Sequence, residues 1–253
     1  MINLILNREI AYQGALGRYR ENSCINYIKL KKTTFKDIED KIIKTATANG
    51  RTISCHKGCS YCCSQTVGVS IEEAETIVYY LYKHEEALSN FTENYPVWRE
   101  KVGENESLLC NIYRTFIETG NRTNKQASLD IAAKLYLDLN IPCPFLINKT
   151  CSIYEVRPWG CAIGMSTSPP EYCIGKSKNH PVMIIVNPWR EVLSVFFYNE
   201  LHNEVYLPLP IVVNEILSGG TNYLSKFPGL ENIHREHIKD PIVQSIIRKY
   251  VGF

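Results

Sequence analysis

Eight of the ten cysteines in this chain fall into two groups, Cys55-x3-Cys59-x2-Cys62-Cys63 and Cys143-x7-Cys151-x9-Cys161-x11-Cys173. Short spacings let several thiolates converge on one point without a long loop to close, which suits a metal centre. The eight are therefore candidate metal ligands, provided that the two remote groups meet in the folded chain. Zinc and iron–sulfur clusters each take four thiolates per centre. Two separate centres, one shared binuclear centre, or one full site with spare thiols all remain open. Consecutive side chains tend to point apart, so Cys62 and Cys63 are expected to serve two neighbouring metals.

The rest of the composition narrows the setting. No export leader and no apolar span of membrane length is visible, so a cytoplasmic location without a membrane partner is expected. Thiols stay reduced there, which favours metal over disulfides. Lys and Arg number 28 against 26 Asp and Glu, a net charge of +2 that selects no nucleic acid. Lys29, Lys31, Lys32 and Lys36 read as a solvated basic edge.

The fold class expected is mainly α: a single helical domain over 1–253 with an irregular, cysteine-rich, metal-organised insert. The cysteine cluster core spans 55–173 and a C-terminal helical segment spans 182–253. Residues 1–33 show little periodicity and read as an arm, or a strand near 25–30. Thr34 looks like the cap of a helix carrying Ile38, Ile42 and Ile43, stopped by Gly50. Ser70 and Glu73 form a capping box ahead of Ile71, Ala74, Ile77, Val78 and Leu81. Further helices are expected over 96–102, over 108–117 with Gly120 as stop, and over 128–139 with Pro142 beyond. Residues 142–181 lose periodicity, as a metal-organised segment would. A short strand over 182–186 and helices over 188–201, 209–217 (closed by Gly219-Gly220) and 241–250 complete the chain.

A four-thiolate centre carries net negative charge and wants cations and N–H donors nearby. Lys57 and Arg157 stand inside the two groups to supply charge, and Tyr61, Tyr154 and Trp159 to exclude water. The isolated Cys24 and Cys110 read as small core residues. His234 and His237 would share a helix face but have no carboxylate partner, so they read as solvated. His56 lies among the ligands beside Lys57 and reads as exposed.

The segments Cys-His-Lys-Gly-Cys-Ser-Tyr-Cys-Cys (55–63), Cys-Pro-Phe-Leu (143–146) and Cys-Ser-Ile-Tyr-Glu-Val-Arg-Pro (151–158), with Cys161, resemble the YkgJ-type cysteine cluster family of zinc- or iron-chelating proteins. The resemblance covers residues 55–173. It implies metal ligation by Cys55, Cys59, Cys62, Cys63, Cys143, Cys151 and Cys161, and by Cys173 at a position where spacing varies. Two features depart from the family pattern. Three residues separate Cys55 from Cys59 where the motif has two, and Ala162 follows Cys161 where members often carry arginine. Some flagellin lysine methylases carry a related cluster, so the resemblance also implies an alternative, an iron–sulfur enzyme of redox chemistry or protein side-chain modification.

The expected function is zinc or iron binding, with zinc preferred and a 4Fe-4S cluster as the other form. The metal ion is the first partner and a protein the second. No Gly-x-Ser-x-Gly or Gly-x-Gly-x-x-Gly occurs, which leaves ordinary hydrolase and dinucleotide readings without a foothold.

Overall fold

A computed structural model describes residues 8–107, 109–110, 134, 136–175, 177–186 and 207–224. Its first helix, α1, spans Arg8–Ala48 without a break. The expected arm or strand is therefore corrected. Cys24, Tyr27, Lys31, Phe35, Ile38 and Ile42 are all buried, at the three- and four-residue steps of one helix face. Lys31 interrupts that otherwise apolar stripe, which hid the period. Thr34 sits inside the helix as a buried residue and caps nothing. The stop at Gly50 holds. Its φ is +64°, Gly50 N–H donates to Thr47 O and Arg51 N–H to Ala46 O, the paired bonds of a Schellman ending.

Helix α2 spans Ile71–Lys83, with Ser70 accepting from Glu73 N–H. All five apolar residues expected on its inner face are buried. The return bond of the capping box is replaced: the Glu73 carboxylate turns toward Lys31 and Trp159 instead. Helix α3 spans Glu85–Val102 with Pro96 in its interior, so the helix expected to start at Pro96 begins well before it. Proline there removes one backbone donor, while burial of Phe91, Tyr95, Trp98 and Val102 along one face supplies the offsetting apolar contact. Most of 108–117, Gly120, most of 128–139, the helices expected over 188–201 and 241–250, and His234 and His237 lie outside the described residues. Residues 136–139 are helical where described.

Two antiparallel strand pairs shape the chain from residue 142 to residue 185. Strands β2 (Leu146–Ile147) and β3 (Thr150–Cys151) pair with Leu146 opposite Cys151. Asn148 and Lys149, both at positive φ (49° and 65°), form the two-residue turn that matches strand twist. Lysine pays a steric cost in that conformation. Lys149→Gly is expected to stabilise the protein by about 1 kcal/mol, read as a rise of roughly 2–4 °C in unfolding temperature. The expected strand over 182–186 is present as β5 (Met183–Ile185), antiparallel to β4 (Gly164–Ser166).

A third pair joins β1 (Gly68–Val69) to β6 (Leu207–Pro208) and leads into helix α4, Leu209–Leu224. Helix α4 runs through Gly219-Gly220, correcting the expected stop. Glycine weakens a helix interior by about 1 kcal/mol but does not forbid it. Buried Leu209, Val212, Val213 and Ile216 hold the N-terminal half against α2.

Two apolar clusters result. One gathers α2, α3 and α4 around Phe145, Ile153 and Val156, with Cys143 and Cys151 packed at its border. The other gathers Leu30, Ile38 and Ile42 of α1 around Trp159, Ala162 and Ile184. The chain from 151 to 162 crosses from one to the other. The architecture is mainly α with few short strands.

Candidate metal centre

The first cysteine group begins just past the α1 ending. Ser54 pairs through its N–H and Oγ with Ser166 O, which places Cys55 Sγ 3.1 Å from the Ser166 N–H as acceptor. Gly58 at φ +92° and the bond from Cys59 N–H to His56 O make a tight turn of His56–Cys59. That turn absorbs the extra residue between Cys55 and Cys59, a backbone shape suited to glycine. Tyr61–Ser64 then forms one 3-10 turn. Within it the Cys62 and Cys63 thiols perturb each other's pKa values, and both line the same pocket.

The second group is tied to the first by its backbone. Cys143 N–H donates to Cys63 O at 2.8 Å. The β2–β3 hairpin carries Cys151. The turn Trp159–Cys161, closed by Cys161 N–H to Pro158 O at 2.9 Å, carries Cys161. Cys55, Cys59, Cys62, Cys63, Cys143, Cys151 and Cys161 all line one pocket of about 170 Å³. Cys173 does not line it. The turn Pro170–Cys173 packs against Tyr61–Ser64, and Gln65 Nε2–H donates to Cys173 O at 3.3 Å, so Cys173 stands just behind the first group. Among the described residues no three His, Cys, Asp or Glu side chains are drawn close enough to grip a metal ion as they stand. The thiols wall a pocket rather than a closed shell.

Gathering around one pocket shifts the acidity of these thiols. Although Cys161 is exposed as a residue, the protein crowded around its thiol desolvates it and pushes it well above its ordinary pKa, and the neighbouring Cys143, Cys151 and Cys62 push it further. Burial likewise drives Cys143 up to about 12 and raises Cys55, Cys151 and Cys173. Between these two neighbours, the Cys63 thiol lowers Cys62 to about 7 while Cys63 itself rises. Most of these thiols therefore keep their protons until a cation compensates both burial and mutual repulsion. Such a set of soft, protonated donors fits a thiophilic metal.

Two consequences can be measured. Metal binding must release protons, so apparent zinc affinity should rise by more than one decade per pH unit between pH 6 and 8. Without metal, the raised thiols favour the folded state only while the unfolded thiols also hold protons. Stability should then fall as pH climbs above the ordinary thiol value of about 8.5, seen as a falling denaturant midpoint that added zinc prevents.

Of the cations expected near the thiols, Arg157 and Lys57 both line the pocket. Arg157 lies 3.9 Å from the Tyr154 ring centroid and 4.8 Å from that of Phe35, and its charge draws the Cys151 and Cys161 pKa values down. Lys57 sits over Tyr154 at 5.6 Å. Tyr154 lines the pocket, whereas Trp159 is buried and Tyr61 exposed, and neither of these two lines it. His56 borders the pocket but bonds its own loop at Lys57 O. Cys24 is core, as expected, and Cys110 packs at the core's border.

Sequence reasoning missed the Lys31–Glu73 ion pair at 3.0 Å, both side chains buried. It also missed Trp98 and Tyr136 on the pocket's apolar side. Lys31 is corrected from the solvated basic edge to a buried ion pair with Glu73, which no local pattern signals. Among the described residues no helix is long and apolar enough to cross a membrane.

No solved structure matches this chain. Residues 54–180, half of the sequence, match the CxxCxxCC family, whose description reads "putative zinc- or iron-chelating domain". With seven of the eight clustered cysteines of that span lining one pocket, the chain belongs to the CxxCxxCC family of zinc- or iron-chelating domains.

Proposed function

We propose that the pocket binds zinc or iron through the thiolates of Cys55, Cys59, Cys62, Cys63, Cys143, Cys151 and Cys161, with Cys173 as a reserve ligand, and that it handles exchangeable metal. The observation that carries this reading is the shared pocket: side chains from positions 55–63 and 143–161 face one volume. Rotation of a few side chains toward its centre would complete a shell as the thiols lose their protons. Purely structural zinc sites are closed. Here Cys62 and Cys161 are exposed residues that also line the pocket, which leaves a route for metal to enter and leave. A protein that takes up or delivers metal needs that route.

A polynuclear iron–sulfur centre is the second reading. It is favoured by a pocket several times the roughly 30 Å³ share of one water in the liquid and by more sulfurs than one ion can use. Elemental analysis after aerobic and anaerobic purification, with sulfide quantified and the visible spectrum recorded before and after dithionite, tests both. Colourless protein with one or two zinc ions supports the first reading, and bleachable absorbance with sulfide supports the second. Folded protein that takes up neither metal refutes both.

A further inference from the structure

Lys31 is fully buried. Its Nζ donates to Glu73 Oε1 at 3.0 Å, to Arg157 O at 3.1 Å and to Val156 O at 3.3 Å. The rings of Tyr27, Trp159 and Phe35 surround it at 5.2, 5.5 and 5.9 Å. The same Glu73 oxygen accepts the Trp159 N–H at 3.0 Å, and the Trp159 indole N–H donates to Tyr27 OH at 2.9 Å. One ion pair, contributed by two helices, thus satisfies three backbone groups of the turn that ends in Cys161.

A buried ion pair is seldom more stabilising than well-packed apolar residues. Apolar residues could not, however, satisfy the Val156 and Arg157 carbonyls and the Trp159 amide, which would stand orphaned in a buried turn. We propose that the Lys31–Glu73 pair positions Cys161 for metal ligation, holding the Val156–Cys161 turn in its ligating shape before metal arrives. The inference rests on the thiolate reading of the pocket. The pair acts through the turn and touches no metal, as outer-shell partners of ligands do.

Two substitutions separate positioning from mere stability. Glu73→Gln keeps an oxygen for Lys31 and for the Trp159 N–H but loses the charge; Glu73→Leu loses both. Zinc affinity would be measured by competition with a chromophoric chelator well below each variant's unfolding temperature, with cobalt spectra as a report of ligand geometry. Both variants should melt lower than wild type. Glu73→Gln should bind zinc within about 3-fold of wild type, whereas Glu73→Leu should bind about 10-fold or more weakly with shifted cobalt bands. Folded Glu73→Leu with wild-type affinity and spectrum, or equal weakening by both variants, overturns the inference. If Glu73→Leu does not fold, amide hydrogen exchange of metal-free wild type decides: protection of Trp159 and Cys161 sustains the inference, and exchange at free-chain rates overturns it. Wild type that binds no zinc or iron would instead sink the metal reading, while the exchange result still reports on the turn.

Discussion

Cys161→Ser is expected to lower zinc affinity by at least about 100-fold, a larger loss than the 10–100-fold of outer-shell changes, and to leave purified protein with much less bound metal. Three other thiols, Cys143, Cys151 and Cys62, act on the charge of Cys161, and its turn is tied by the Cys161 N–H to Pro158 O and the Trp159 N–H to Glu73. Serine preserves size but supplies a hard, weakly acidic oxygen that neither zinc nor iron prefers at such a site. Cys24→Ser is the matched control. Cys24 is buried in the apolar cluster away from the pocket, so its loss should cost about 1–2 kcal/mol of stability with unchanged metal affinity. Chelator competition and metal-to-protein ratios read both results.

Lys31→Met should destabilise the metal-free protein by about 3–5 kcal/mol, the range for breaking a buried pair from one side, and lower the unfolding temperature by roughly 10 °C. The change strands the Glu73 carboxylate and two carbonyls. Lys32, its chain neighbour, offers the contrast. It pairs with Glu155 at 3.1 Å, but both side chains are more than half exposed, and surface pairs contribute less than about 1 kcal/mol. Lys32→Met should therefore be nearly silent in the same melt.

That contrast also shows where the sequence was readable. Helix α2 was plain because its apolar residues recur without interruption behind a serine cap. Most of α1 was opaque because the residue at the centre of its buried stripe is a lysine, and a lysine looks solvated until its partner is known. That partner, Glu73, lies on another helix, and its backbone acceptors lie beyond position 150. No local pattern announces such an arrangement. The Gly219-Gly220 stop failed for the opposite reason: tertiary burial of the preceding turns outweighed a local propensity.

The candidate thiols were legible in the sequence as a set; the shape of the pocket that seven of them line was not. Thiol spacing pointed to the residues because few other roles explain eight clustered cysteines. Spacing could not tell that a 3-10 turn would place Cys62 and Cys63 on one pocket, because side-chain direction depends on backbone angles. Nor could it tell that the Cys143 amide would bond Cys63 O, or that Cys173 would stand behind the pocket instead of on its wall.

Cysteine alkylation with and without metal, mapped residue by residue, tests the central claim most directly. Bound zinc or iron should protect positions from both groups together, Cys59, Cys62 and Cys63 along with Cys143, Cys151 and Cys161, and a chelator should expose them together. Protection confined to one group, or reactivity indifferent to metal, would contradict a centre shared between the two.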